Sequence, residues 1–190
     1  MSAADDTRES GDRPFVSALG LRRCPGCKVE LQVTDWPGGS KKNNASPECA
    51  EVAGELLGFE VEHQAELGHL HQLRIDAYGA QHVGSQSPAI GVIFALNGLY
   101  MYLERGSGNL DVRTAHGIMA NSHSDWPILT PPPAVAELTA HAVLRAGTVQ
   151  GVGKQMIAWA EEVWNSWPAA DQQVVRDLTV ALVPARYFGR

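Results

Sequence analysis

The sequence predicts an all-α protein: a bundle of about six helices behind a small irregular N-terminal knuckle. Three observations carry that expectation. Apolar residues recur at a spacing near 3.6 in several separate stretches, strand-like alternation is nowhere sustained, and Pro and Gly stand at the edges of these stretches. No internal repeat is visible.

The first residues, MSAADDTRESGDR, mix both charges and contain no apolar run. They read as a disordered tail over 1–20, neither signal peptide nor anchor, of a cytoplasmic protein. Gly, Pro, Lys and Asn dominate 14–46, with an extended candidate at 29–33. The knuckle is placed at 21–46, and 21–190 as a single helical domain. Ser46-Pro47-Glu48 is a helix start: Ser as N-cap, Pro at the first helical position, an acid against the positive end of the dipole. Val52, Leu56 and Phe59 carry the period to a stop at Leu67-Gly68. The stretch HLHQLRIDAYGAQH (69–82) forms the second helix, and Ser87-Pro88 opens a third that closes at Arg105-Gly106. Residues 107–133 are looser, with one short helix around 112–120, because DWPILTPPP cannot continue any helix. Helical spacing returns over 134–146, then at Met156, Ala160, Val163 and Trp167 up to Pro168, and finally at Leu178 and Leu182.

Composition narrows the function. A chain of 190 residues with 44% hydrophobic content can bury a sizeable core. Its formal charge is -6, without a basic run beyond Arg22-Arg23 and Lys41-Lys42. Nucleic acid and anionic membranes, which need a concentrated positive footprint, are therefore not expected partners. The continuous apolar run 89–103 is shorter than the ~20 residues that cross a bilayer.

Cysteine occurs only at Cys24, Cys27 and Cys49. An odd number without a secretory signal argues against a disulfide framework. Cys24-Pro-Gly-Cys27 has the spacing that lets both thiolates of a tight turn reach one ion, and Cys49 falls in a first helical turn, where the dipole favours thiolate. A closed tetrahedral site needs a fourth ligand. If 47–67 and 69–82 form an antiparallel hairpin, Cys49 lies about 27 Å from the turn and His82 about 22 Å, whereas His71 is about 16 Å from His82 along the axis. The expected set is thus Cys24, Cys27, Cys49 and His82 around a structural zinc, a zinc knuckle with no vacancy for water. A thioredoxin-like redox pair, or two plain thiols, is the alternative. The redox reading wants a strand before the motif and a helix opening at it, and Lys28 to Val33 show no helical period.

On the second helix His71, Ile75, Tyr78 and His82 share one face, and His69, Gln72, Asp76 and Ala80 another. A pocket floored by His71, Asp76 and Tyr78 would supply a base and an orienting carboxylate. The structural alternative is that these groups are satisfied inside the fold. His116, His123 and His141 are isolated and read as packing or surface residues. Trp126, Trp159, Trp164 and Trp167 read as core. Gly-rich GSGN (106–109) and GVG (151–153) lack the setting of a phosphate loop.

The blocks C-P-G-C, A-S-P-E-C, H-Q-L-R-I-D-A-Y-G-A-Q-H, L-E-R-G and W-A-x-x-V-W together resemble a bacterial family of unknown function, numbered fifty-nine forty-six among such domains, over Cys24 to Asp177. The resemblance implies a small helical bacterial protein with a metal-binding cysteine set and no established activity. Where such relatives carry further histidines, this chain has Lys42, Asn43 and Asn44, and again Ala170 and Asp171. If those histidines serve a second metal or a catalytic site in relatives, the resemblance implies that the site is lost or altered in this chain.

No nucleophile motif or cofactor fingerprint names a reaction. The favoured reading is a zinc-binding helical protein that holds a small molecule or partner in an accessory role. The alternative is a small metal-containing enzyme acting on a small molecule by hydrolysis, isomerisation or cyclisation, through His71, Asp76 and Tyr78.

Overall fold

The computed structural model describes residues 17, 19–35 and 43–189. Most of the tail expected over 1–20 lies outside them. The described chain is all-α apart from one hairpin, β1 (Leu21–Arg23) against β2 (Glu30–Gln32). The strands are antiparallel, with Arg22 opposite Leu31. Along the chain follow α1 (Pro47–Glu62), α2 (Gln64–Leu67), α3 (His71–Gln81), α4 (Ala89–Leu103), α5 (Asn109–Ser122), α6 (Ala140–Leu144), α7 (Val149–Ser166) and α8 (Ala169–Leu182). The six longer helices form the bundle, and α2 and α6 sit in connections. None of the described helices is long and apolar enough to cross a membrane.

Within the knuckle, β2 falls inside the extended candidate at 29–33, and its pairing with β1 adds one short hairpin. Three-residue strands are too short to show alternation. The pairing is set instead by the turn between them, where Cys24 N–H donates to Val29 O (2.8 Å) and Lys28 N–H to Cys24 O (3.0 Å). Lys28 takes a positive φ of 65° to close that turn.

Helix α1 starts as its cap chemistry requires, with Ser46 Oγ accepting the Cys49 N–H at 3.2 Å. The turn between α1 and α3 is broader than a stop at Gly68: α1 ends at Glu62, and 64–70 pass through α2 and a 3-10 turn, Gly68–Leu70. Helices α1 and α3 still run antiparallel. Near the turn Glu60 meets Arg74 and His71, and at the far end Cys49 meets His82. Helix α4 has apolar residues on every side and fills the centre, burying Val92, Ile93, Ala95, Leu96, Leu99 and Met101. Helices α3, α5, α7 and α8 surround it, α7 contributing Val152, Met156, Trp159, Ala160 and Val163.

The helix expected over 134–146 is reduced to α6. Residues before Thr139 find other partners for their backbone: Gln81 Nε2 donates to Ala136 O (3.3 Å) and Leu138 O (2.8 Å), and Glu162 accepts the Leu138 N–H (2.9 Å). Gln81 Oε1 accepts the indole N–H of the fully buried Trp159 at 2.9 Å. One amide from α3 thereby fixes both the proline-rich connection and α7. Gln81→Ala should destabilise by about 2–4 kcal/mol, since it leaves a buried indole N–H and two carbonyls unpaired. Urea unfolding would show this as a lower midpoint at unchanged slope.

Candidate metal centre

Four side chains from three separated stretches converge beside the C-terminal end of α3. Cys24 leaves β1 and Cys27 closes the turn, Cys49 stands in the first turn of α1, and His82 is the residue that caps α3. Their ligand atoms all lie within 4.8 Å of one another, and all four residues are buried. Cys27 Sγ is 3.7 Å from Cys49 Sγ, and Cys49 Sγ is 3.3 Å from His82 Nε2. Sulfurs bound at ~2.3 Å to a tetrahedral ion would stand about 3.8 Å apart. The contacts are those of a set ready to receive an ion, and the cluster can hold one.

The imidazole is presented in one orientation. His82 Nδ1 lies 2.8 Å from the Tyr78 carbonyl and donates to it, which leaves Nε2 facing the sulfurs. The Tyr78 ring stacks on the imidazole with centroids 4.1 Å apart. Burial alone would lower the imidazole pKa, but the neighbouring sulfurs of Cys24 and Cys27 outweigh it and push it up to about 9. Cys24 is held low by hydrogen bonding from Cys27 and Cys49, while Cys49 is pushed up by sharing its proton with Cys24 and Cys27. The cluster thus shares protons as a unit, and an ion would displace them.

Backbone packing closes the site. Asn44 N–H donates to His82 O at 2.7 Å, laying the segment just before α1 across the end of α3. A Cβ on Gly26 would lie 2.5 Å from Asn44 O and 2.6 Å from His82 Cδ2, so glycine is required in the Cys-Pro-Gly-Cys turn. Arg22 pairs with the buried Glu48 at 2.8 Å and ties β1 to α1. Among the described residues no second cluster of three or more such ligands forms.

His71, Asp76 and Tyr78 face different neighbours and frame no common pocket. His71 Nδ1 lies 2.5 Å from Glu60 Oε1, and Glu60 Oε2 accepts from Arg74 Nε at 2.6 Å. The carboxylate beside His71 is therefore Glu60 rather than Asp76. Asp76 is buried against α4, where a Cβ on Gly98 would lie 1.8 Å from its Oδ2. It accepts from Gln72 Nε2 at 2.9 Å, and burial pushes its pKa well above the usual carboxylate range. Tyr78 belongs to the Cys and His cluster. His116 stacks on Phe94 at 4.6 Å and His123 packs edge-on against Trp126 at 4.8 Å, both as packing residues.

Glu60, Arg74 and Gln81 have no role assigned from sequence, and Asn44 enters there only as a departure from relatives, although each holds part of this arrangement. The glutamine of the D-A-Y-x-x-Q-H block was in view, but its partners lie 55 to 78 residues away. A cleft of about 230 Å³ opens beside the cluster, lined by Gly26, Lys28, Asn44, Val83 and the Pro131–Pro133 run.

The chain belongs to the family described as "Family of unknown function (DUF5946)", whose sequence model matches residues 22–168. That span contains all four cluster residues. No curated protein and no solved structure matches the chain.

Because the folded pKa of Asp76 lies above its unfolded value near 3.9, its neutral form favours folding at low pH, and that contribution is lost as pH rises toward the folded value. The stability of Asp76→Asn relative to the parent should therefore grow as pH rises above the unfolded carboxylate value, and a pH-independent difference would contradict a raised folded pKa. Gly26→Ala should destabilise by about 1–3 kcal/mol and expose the thiols to Ellman's reagent. Gly54→Ala, where the added Cβ meets nothing within 4 Å, should instead be stabilising by up to ~1 kcal/mol.

Proposed function

We propose that the chain is a zinc-stabilised helical protein in which the ion is structural, and that its role is to bind a small molecule or partner rather than to transform one. The observation that carries the zinc reading is the mutual approach of three sulfurs and one imidazole Nε2, all buried. Thiolates with one imidazole are a tetrahedral, soft donor set that suits Zn²⁺. Four protein ligands fill its coordination and leave no position for a reacting water. Retention of three thiolates also favours a reducing compartment such as the cytoplasm.

An accessory binding role is supported by the cleft beside the cluster. Its walls are the Cys-Pro-Gly-Cys turn, the end of α3 and the proline run, so metal loading would shape one side of it. Among the described residues lining it Lys28 is the one that carries a charge, which suits a small ligand with an apolar body and an acidic group. The enzymatic alternative draws less support, because His71, Asp76 and Tyr78 are directed to Glu60, Gly98 and the sulfur cluster in turn.

Elemental analysis of the purified protein should return one zinc per chain, and absence of stoichiometric metal would sink the reading. Cys49→Ala and His82→Ala should lose the ion and melt at lower temperature than the parent. Far-UV circular dichroism should remain largely helical, because the α4 and α7 core lies in a separate apolar cluster.

A further inference from the structure

We propose that the cleft beside the metal centre holds a small aromatic carboxylate, and that ion occupancy of the sulfur cluster sets its affinity. This rests on the zinc and binding readings above, and adds to them a ligand class and its control.

The ligand class follows from the lining. The cleft is about 230 Å³, below the ~300–1,000 Å³ of pockets that enclose drug-sized molecules, so one ring with a short substituent fills it. Pro25 and Pro131–Pro133 offer rigid pyrrolidine rings, whose C–H groups suit the electron-rich face of an aromatic ring. Two of the polar side chains lining the cleft are already committed: Gln81 Nε2 donates to Ala136 O and Leu138 O, and Ser166 Oγ to Val163 O. Lys28 and Asn44 remain to recognise a ligand. The Lys28 ammonium gives one proton to Pro25 O and keeps two. The Asn44 carboxamide lies against the backbone of Gly84, where an added Cβ would come within 2.9 Å of its Cγ. With no carboxylate among the described residues lining the cleft, these N–H donors select an anionic acceptor.

Control by the ion follows from how the walls are held. Gln81 and His82 are neighbours at the end of α3, and each secures one wall. Gln81 bonds the connection just after the prolines, through contacts that involve none of the four cluster residues. The other wall is the metal turn itself: Pro25 and Gly26 lie between Cys24 and Cys27, Lys28 follows them, and Asn44 joins through its bond to His82 O. An ion shared by Cys24, Cys27, Cys49 and His82 fixes this wall against α3, and its loss frees this wall alone. Linkage then requires that the carboxylate raise zinc affinity by the same factor by which zinc raises carboxylate affinity.

Benzoate is the probe. In ¹⁵N–¹H spectra of the zinc-loaded chain it should move the Gly26, Lys28, Asn44 and Gly84 amides saturably, with Kd on the order of 1 mM. Benzamide should bind about tenfold more weakly, and Lys28→Gln should erase that preference. Saturating benzoate should raise zinc affinity about tenfold in competition against a chromogenic chelator. Absence of saturable shifts at these amides overturns the ligand class, while leaving the zinc and a role toward another partner standing. Zinc affinity unchanged by bound benzoate overturns the control by the ion. A purified chain without zinc overturns that control together with the metal reading. If the Lys28 variant does not fold, the parent decides, and equal affinities for benzoate and benzamide refute an acid-recognising site.

Discussion

The structure depends on one meeting point, where a β-turn, the first turn of one helix and the last residue of another bring three sulfurs and an imidazole together. Each approach is constrained before any ion arrives. Ser46 fixes where α1 begins and hence the height of Cys49. The Tyr78 carbonyl fixes the face His82 offers, and Gly26 allows the turn to lie directly on that ring. Such preorganisation matters because four ligands assembled from a disordered chain would have to be ordered at the expense of the binding free energy.

Helix α3 is the hub that joins this point to the rest of the molecule. Within residues 71 to 82 His71 and Arg74 pair with Glu60 of α1, Asp76 is sealed beneath Gly98 of α4, Gln81 grips the proline-rich connection and α7, and His82 enters the sulfur cluster. The polar density of this helix is thus accounted for by four different directions of contact. Buried polar groups survive only with partners, and here the partners come from almost every layer of the bundle. Asp76 is the exception in kind: its one hydrogen bond comes from the neutral Gln72, and burial pushes its pKa well above the usual carboxylate range.

Much of this was legible in the amino-acid order because it is local. The helix start at Ser46 and the end of the 134–146 stretch at Gly147, with its φ of 69°, follow from capping chemistry and backbone freedom within a few residues. The level of Cys49 with His82 follows from the rise of an α-helix, and survives the broad turn between α1 and α3 because the axial offset stays within about one turn. What was illegible depends on distant partners. Residues 134–139 have helical spacing, yet Gln81 and Glu162 take their backbone groups. His71 was paired in prospect with Asp76 because both share a helix, whereas Glu60 arrives from another helix eleven positions earlier in the chain.

The order of the ligands along the chain has a consequence for biosynthesis. All four lie between residues 24 and 82, while the contacts that lock the core, Asn97 with Thr179 and Gln81 with Trp159, span 82 and 78 positions. As the polypeptide emerges from the ribosome amino end first, the complete donor set is outside before α7 and α8 exist. Ion capture can then precede burial of the central helix, and a nascent chain would acquire its anchor while the hydrophobic half of the molecule is still being translated.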